Sequence, residues 1–398
     1  MKILILSTKM PWPARDGGAI ATLNMALGFA RKKCQVTLLT MNTGKHYFPE
    51  ADLPAELREQ ISIRSVNVDT KIRPFRLLLN FLFSSYPYNA ERFISKPYKA
   101  ALEKCLEEQD FDIVQLEGPY LSYYIPCIKG KARIALRAHN QEHRIWKLMS
   151  EQEDGPIKRF YLRILAARIE KLEKNILSEI DLLVPISEAD RKGFDQLGHS
   201  LPVIIIPTGI DISDYPLNQD ENRILLFFIG ALDWGPNQEG LDWFFREVWP
   251  EIRIKWPGLT LNLAGRNPGY YFDGRKLPDN VRLEGEVESA IEFFHQHTVM
   301  IVPLLTGSGI RIKILEAMAM GKTVISTRIG AGGLQAEHGF HLFLADTPAE
   351  YIRVIEDLQT QQDQLRRIGS QARQFVIENF DILALSEKLI SFYKEQLQ

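Results

Sequence analysis

The sequence predicts an α/β protein built as two Rossmann-like, doubly wound domains facing a central cleft. Three observations carry this. The chain has 398 residues, room for two domains at roughly 100–200 residues each. Short apolar runs of strand length alternate with stretches of helical periodicity, the grammar of a parallel sheet with crossover helices. That grammar stops at a polar, turn-rich segment near mid-chain and then starts again.

The elements follow in order. Ile3–Leu6 is a strand-length apolar run, Pro11–Gly18 a turn-rich segment, and Ala19–Arg31 carries apolar residues at helical spacing. Val36–Leu39 completes a strand, glycine loop, helix, strand opening. Further strands are predicted at Ile61–Val68, Ile113–Leu116, Ile134–Leu136, Leu182–Val184 and Val203–Ile206. Pro207-Thr208-Gly209-Ile210-Asp211 then runs into the polar Asn218–Asn222, which reads as a linker. The restart begins with a strand at Ile224–Ile229, ending at Gly230. Strands at Leu259–Leu263, Val299–Val302 and Thr323–Ser326 alternate with helices at Gln238–Arg253, Ile310–Met320 and Ala349–Gln359. The expected division is 1–206 for the first domain, 207–222 for the linker, 223–380 for the second domain and 381–398 for a terminal helix.

Composition narrows the function. Lys and Arg total 48 against 50 Asp and Glu, a net charge of −2, so bulk nucleic-acid binding is not indicated. Three cysteines, Cys34, Cys105 and Cys127, form neither a disulfide framework nor a C-x-x-C pair. The opening apolar run is too short for a signal peptide, and no stretch approaches the ~20 apolar residues of a spanning helix. The expectation is a cytoplasmic protein, peripheral at most.

Ligands of open α/β sheets bind outside the carboxyl ends of the strands, so the chemistry belongs in loops that follow strands. The strongest such loop runs from Val302 to Gly321. Gly307 and Gly309, with Ser308 between them, allow a phosphate to approach the backbone, and a helix start offers free N–H groups. Arg311 and Lys313 add positive charge where the helix dipole disfavours it, which asks for an anion. Glu316, three residues beyond Lys313, can accept hydrogen bonds from ribose hydroxyls or simply pair with Lys313. Three other patterns read as structural. Position 312 is Ile, where a dinucleotide fingerprint needs its third glycine. Asp110-Phe111-Asp112 sits where a helix turns into a strand. His295 and His297 are spaced to point different ways.

The loop from Val302 to Gly321, continued by Gly321–Thr327 and Gly330–Leu334, resembles the donor signature of the family 4 retaining glycosyltransferases, with the GT-B fold. Other segments match in order. They are Gly17-Gly18, Arg137-Ala138-His139-Asn140-Gln141-Glu142-His143, Ile186-Ser187-Glu188, Pro207–Asp211, Gly230–Trp234 and Phe375–Phe380. The resemblance covers nearly the whole chain and implies a role for each position. Lys313, with Arg311, would hold the donor diphosphate, and Glu316 the ribose. Gly285-Glu286-Val287 would lie against the base, and His139 beside the transferred sugar. Gly17 and Gly18 would line the donor–acceptor junction, and Gly307, Ser308 and Gly309 would belong to the donor loop. The terminal helix would return to the first domain. The reaction implied is retaining, metal-independent transfer from a nucleotide-diphosphate sugar to a glycan, lipid-linked or small-molecule acceptor, as in polysaccharide biosynthesis, with no cofactor. A nucleotide-sugar epimerase of the same fold and a non-catalytic sugar-nucleotide-binding protein stay open as alternatives.

Two departures stand out. The family often has a glutamate eight residues before the ribose glutamate, where this chain has Ser308. Gly230–Gly240 lacks the Arg and Lys that many members carry there, and Arg311 reads as a partial substitute. Lys71–Lys99 mixes Lys71, Arg73, Arg76, Arg92, Lys96 and Lys99 with Leu77–Leu79 and Phe81–Phe83. Two readings apply: contact with an anionic membrane or lipid-linked acceptor, or a packed helix pair with a solvated basic face.

Overall fold

The computed structural model describes residues 1–14, 16–217, 223–307, 309–361 and 363–398, with Tyr270 described by its backbone only. Arg15, Ser308, Gln362 and the linker residues Asn218–Asn222 lie outside the described residues. Two compact units result. One comprises Met1–Gly209 with Ile382–Gln398, the other Ile210–Asp381.

The first unit is built on β1 (Lys2–Ser7), β2 (Gln35–Thr43), β3 (Ser62–Val68), β4 (Ile113–Glu117), β5 (Arg133–Ala138) and β6 (Leu182–Pro185). They form one parallel sheet in the order β3-β2-β1-β4-β5-β6. Ile3, Leu4, Ile5 and Leu6 are all fully buried, as a sheet covered by helices on both faces requires. Each such side chain contributes about 1.5–3 kcal/mol of burial. The helix Gly17–Arg31 starts at Asp16, whose side chain accepts the Ala19 N–H. It packs against the final helix, Ile382–Leu397. A Cβ on Gly28 would lie 2.1 Å from the Ser386 hydroxyl, so this close approach depends on glycine.

The second unit repeats the plan. Its strands are β7 (Leu226–Ile229), β8 (Leu261–Ala264), β9 (Val281–Gly285), β10 (Val299–Val302), β11 (Thr323–Ser326) and β12 (Phe343–Leu344), in the order β12-β11-β10-β7-β8-β9, all parallel. Renumbered from the start of each unit, both sheets read 3-2-1-4-5-6, the doubly wound order of dinucleotide-binding folds. The direction of winding reverses between β1 and β4 in one sheet and between β7 and β10 in the other. Those two crevices are where ligands are expected.

Several elements differ from the sequence expectation. Val203–Ile206 runs beside β6 through Leu183 N–H to the Pro202 carbonyl, Ile204 N–H to Leu183 and Ile206 N–H to Pro185, yet forms one isolated bridge. Pro202 and Pro207 flank it and supply no N–H groups to extend a ladder. The helix expected over Gln238–Arg253 is three pieces: Gly235–Trp243, a π-helical turn at Phe244–Val248, and Trp249–Lys255. Pro250 has no amide hydrogen and crowds the carbonyl four residues back, which widens the helix there. β9 and β12 escape the reading because β9 lies at a sheet edge with alternating exposure and β12 has two residues. The donor-loop helix begins at Ile312, not Ile310, which makes Arg311 its N-cap residue.

Candidate active site

In the second unit, the crevice between β7 and β10 is lined by the loops that follow those strands. The loop after β10 turns through Gly307, at φ +120°. That backbone conformation favours glycine, and a Cβ there would fall 2.4 Å from the Arg311 Nη2 and push the guanidinium from its place. Arg311 caps the helix Ile312–Ala319 and stacks on Trp234, from the loop after β7, with 5.2 Å between guanidinium carbon and ring centroid. Burial pulls the Arg311 pKa down from its usual value, the direction a buried cation takes. The two loops on either side of the switch point therefore meet through one cation–π contact.

Lys313 and Glu316 occupy the first turns of the same helix, with Lys313 Nζ 2.8 Å from Glu316 Oε2. Glu316 is buried, while the Lys313 side chain remains 39% exposed. The other Glu316 oxygen accepts a 2.9 Å hydrogen bond from the Tyr215 hydroxyl. Arg373 fixes that tyrosine by donating to its backbone carbonyl at 2.6 Å. Burial, and next the Glu316 charge, raise the Tyr215 pKa, so the phenol stays a donor. Glu316 is thus a carboxylate held from below.

In the first unit, the crevice lies between β1 and β4. The helix start at Gly17 and Gly18 follows β1, and Glu117 ends β4. Lys9 Nζ contacts Asp16 Oδ1 at 2.5 Å beside this glycine pair. Glu117 is buried, and its Oε2 lies 2.6 Å from His139 Nε2, 3.2 Å from Arg137 Nη1 and 3.1 Å from the Thr22 hydroxyl. Gln115 donates to its other oxygen. Burial pushes the Glu117 carboxyl up, but the Arg137 charge and the His139 hydrogen bond prevail and hold it at about 2. With Glu117 ionised, His139 Nε2 must carry the hydrogen. Arg137 is fully buried and also donates to the Ala21 carbonyl at 3.0 Å.

Residues 15–214 match the family model "Glycosyltransferase Family 4", half of the chain, and residues 223–361 match "Glycosyl transferases group 1". The chain belongs to glycosyltransferase family 4. This glycosyltransferase is 24% identical over 412 residues to an uncharacterized 44.6 kDa protein in cps region of Klebsiella pneumoniae, spanning 99% of both chains. Sucrose-phosphate synthase from Thermosynechococcus elongatus has a TM-score of 0.70 at 15% identity, covering 99% of both chains. Anabaena HepE, solved in complex with UDP-glucose, has a TM-score of 0.63 at 15% identity, covering 99% of this chain and 100% of that one. S. aureus TarM has a TM-score of 0.68 at 12% identity, covering 99% of both. These likenesses show that the glycosyltransferase has the GT-B fold.

The residues singled out in the glycosyltransferase's sequence fall into two groups, one in each unit. Arg311, Lys313, Glu316, Gly307 and Gly309 share the β10 loop and its helix. Ser308 lies outside the described residues. Gly285 ends β9 at φ +78°, followed by exposed Glu286 and half-buried Val287. Gly17, Gly18 and His139 share the β1–β4 edge. His143, which sits close to His139 in sequence, points elsewhere and contacts buried Glu173 at 2.5 Å. Asp112 accepts the Lys2 backbone N–H at 2.7 Å, a structural use of that carboxylate. His297 is buried with its Nδ1 2.7 Å from the Phe293 carbonyl. Glu117, Tyr215 and Arg266 were not anticipated, and Trp234 was noted only as the end of the segment Gly230–Trp234. Arg266 follows β8 and reaches Asp233, in the loop after β7, at 3.4 Å. Its position just past a strand end was a usable signal. Glu117, directly after the predicted strand Ile113–Leu116, carried the same signal, and Tyr215 offered none.

Proposed function

We propose that the protein transfers a sugar, with retention of anomeric configuration and without a metal, from a nucleotide-diphosphate sugar to a glycan, lipid-linked or small-molecule acceptor. One observation carries the reading: two cations and a tethered buried carboxylate share one helix start at the switch point of the second sheet. Arg311, Lys313 and the backbone N–H groups of that start receive the diphosphate, and Glu316 receives the ribose hydroxyls. The bond between the anomeric carbon and the phosphate oxygen breaks as the acceptor oxygen bonds to that carbon. The acceptor proton passes to the departing phosphate on the same face. Fixed positive charge at the leaving group supplies most of the acceleration. Glu117 fixes His139 as an Nε2–H donor, which leaves Nδ1 as the ring nitrogen available to a sugar hydroxyl. The structure of HepE with UDP-glucose and that of a TarM mutant with UDP and alpha-GlcNAc-glycerol support this substrate class. The Klebsiella relative's place in a cps region supports polysaccharide biosynthesis as the setting. The reading places the enzyme in the cytoplasm, peripheral at the inner face of the membrane.

Glu316→Ala is expected to weaken nucleotide-diphosphate binding by roughly tenfold to a hundredfold, the worth of hydrogen bonds to a charged group. Turnover at saturating donor should change less, because ground and transition states share the ribose contact. Calorimetry with uridine, guanosine and adenosine diphosphates identifies the base and measures the loss. Unchanged affinity for the preferred nucleotide would remove Glu316 from the site.

Chelation is expected to leave transfer intact. Among the described residues no cluster of three or more His, Cys, Asp or Glu side chains could hold an ion. A transfer assay in EDTA decides this, and activity lost there and restored by magnesium or manganese would overturn the metal-independent mechanism.

A further inference from the structure

Charge in the first unit is unevenly placed. The whole chain carries −2, yet Lys71–Lys99 holds six basic side chains against Glu91 alone. The helix Pro156–Leu177 holds six more, Lys158, Arg159, Arg163, Arg168, Lys171 and Lys174, against Glu170 and Glu173. The two segments are neighbours. Arg168 donates to the Asn80 and Phe81 carbonyls at 3.2 and 2.8 Å, and Phe81 packs on Tyr161 with ring centroids 5.8 Å apart.

Between these charges the apolar side chains face outward. The helix Pro74–Phe83 buries only Asn80. Phe75 is 71% exposed, Leu82 58% and Phe83 82%, and Leu78 and Leu79 are exposed beside them. Ile157 and Phe160, in the first turns of the neighbouring helix, are 86% and 60% exposed. A cavity of about 330 Å³, lined by Ser85, Tyr86, Ser122, Tyr123, Arg168 and Lys171, borders the patch. The helix packs on its neighbour through half-buried Leu77 and Phe81 beside the buried Asn80, while Phe75, Leu78, Leu79, Leu82 and Phe83 point out. Clustered exposed apolar side chains rimmed by charge mark interaction surfaces.

We infer that this face, the helix Pro74–Phe83 with the first half of Pro156–Leu177, docks on an anionic lipid bilayer. Phe75, Leu78, Leu82 and Phe83 enter the headgroup boundary while the surrounding Lys and Arg meet lipid phosphates. Charge selects this occupant over a second copy of the chain. A two-fold self-interface would set the same cations against one another, whereas an anionic surface complements all of them. No described helix is long and apolar enough to cross a membrane, so attachment is at the interface. The inference rests on the proposed lipid-linked class of acceptor for its purpose, and on the surface alone for its geometry.

Co-sedimentation of the full chain with phosphatidylglycerol-containing vesicles, against pure phosphatidylcholine, tests it. The unmodified protein should prefer the anionic vesicles, and the preference should fade with salt. Leu78→Ser with Leu82→Ser and Phe83→Ser should cut partitioning at least tenfold and keep the melting temperature, since these side chains are already in water. Lys71→Glu with Arg73→Glu and Arg76→Glu should remove roughly fivefold per charge. Both sets should bind the nucleotide diphosphate as the unmodified protein does. No vesicle binding, or no preference for anionic lipid, overturns the inference. So does a concentration-dependent dimer that the Ser substitutions abolish. Vesicle binding by a protein that binds no nucleotide would leave this surface standing and sink the transferase site instead.

Discussion

Lys313→Ala is expected to transfer sugar roughly 100–1,000-fold more slowly while remaining folded. Breaking the sugar–phosphate bond gathers negative charge on the leaving diphosphate, and one preorganised contact to such charge is worth ~2.7–4 kcal/mol in the transition state. The residue's structural role is small by comparison. Its contact is the 2.8 Å pair with Glu316, and the lysine side chain is 39% exposed, so solvent screening holds the pair within about 1 kcal/mol. Glu316 keeps the Tyr215 hydroxyl in the variant. Rate and melting temperature should therefore separate, with a large loss in the first and a shift of a few degrees at most in the second. Single-turnover transfer assays and thermal melts on the same preparation check both. Transfer by Lys313→Ala at the unmodified rate would place the diphosphate elsewhere.

Replacing Glu117 should act on stability first. Glu117→Ala leaves the fully buried Arg137 without its counter-charge, a change that costs about 3–5 kcal/mol. Glu117→Gln keeps the volume and an accepting oxygen and should cost less. It also isolates the carboxylate's pH dependence. The folded pKa of Glu117 is about 2 against an ordinary 4.5, so it is depressed. Its stabilisation is then fully present above pH 4.5 and is lost as the pH falls toward 2. By linkage the loss amounts to about 3 kcal/mol. Urea unfolding of the parent and of Glu117→Gln at neutral pH and near pH 3 should show the gap between them closing in acid. A gap that stays constant with pH would mean that Glu117 is not the ionised partner of Arg137 and His139. Because a neutral amide oxygen holds the His139 Nε2–H less firmly than the carboxylate does, turnover of Glu117→Gln should fall while its nucleotide affinity holds. A merely structural residue would not produce that split.

Both residues show how far local pattern reaches. Lys313 and Glu316 are legible because they lie three residues apart on one predicted helix, behind a glycine loop that follows a strand. The partners of Glu117 are not. Glu117 closes an apolar strand and lies 22 residues from His139. It meets Arg137 because β4 and β5 pair in a parallel register that sets those two residues side by side. Tyr215 reaches Glu316 across 101 residues for a similar reason. No spacing rule connects positions joined only by strand register or by a returning segment.

The sequence by itself determined the class of fold, the run of parallel strands, the donor loop and the residues on it, because strand and helix periods and glycine turns are local. It also contained the break at Pro250, since a proline in a helix interior has no amide hydrogen to give to the preceding turn. Tertiary structure alone decided three things. Sheet order placed the β7 and β10 loops together and so brought Trp234 under Arg311. Parallel register turned Glu117, Arg137 and His139 into one buried charged cluster. Packing decided which side of the Pro74–Phe83 helix meets water. Amphipathic periodicity shows that two faces exist, but which face is buried depends on what the rest of the chain places beside it. Here Arg168 caps the buried Asn80 side, and Phe75, Leu78, Leu79, Leu82 and Phe83 are left facing out.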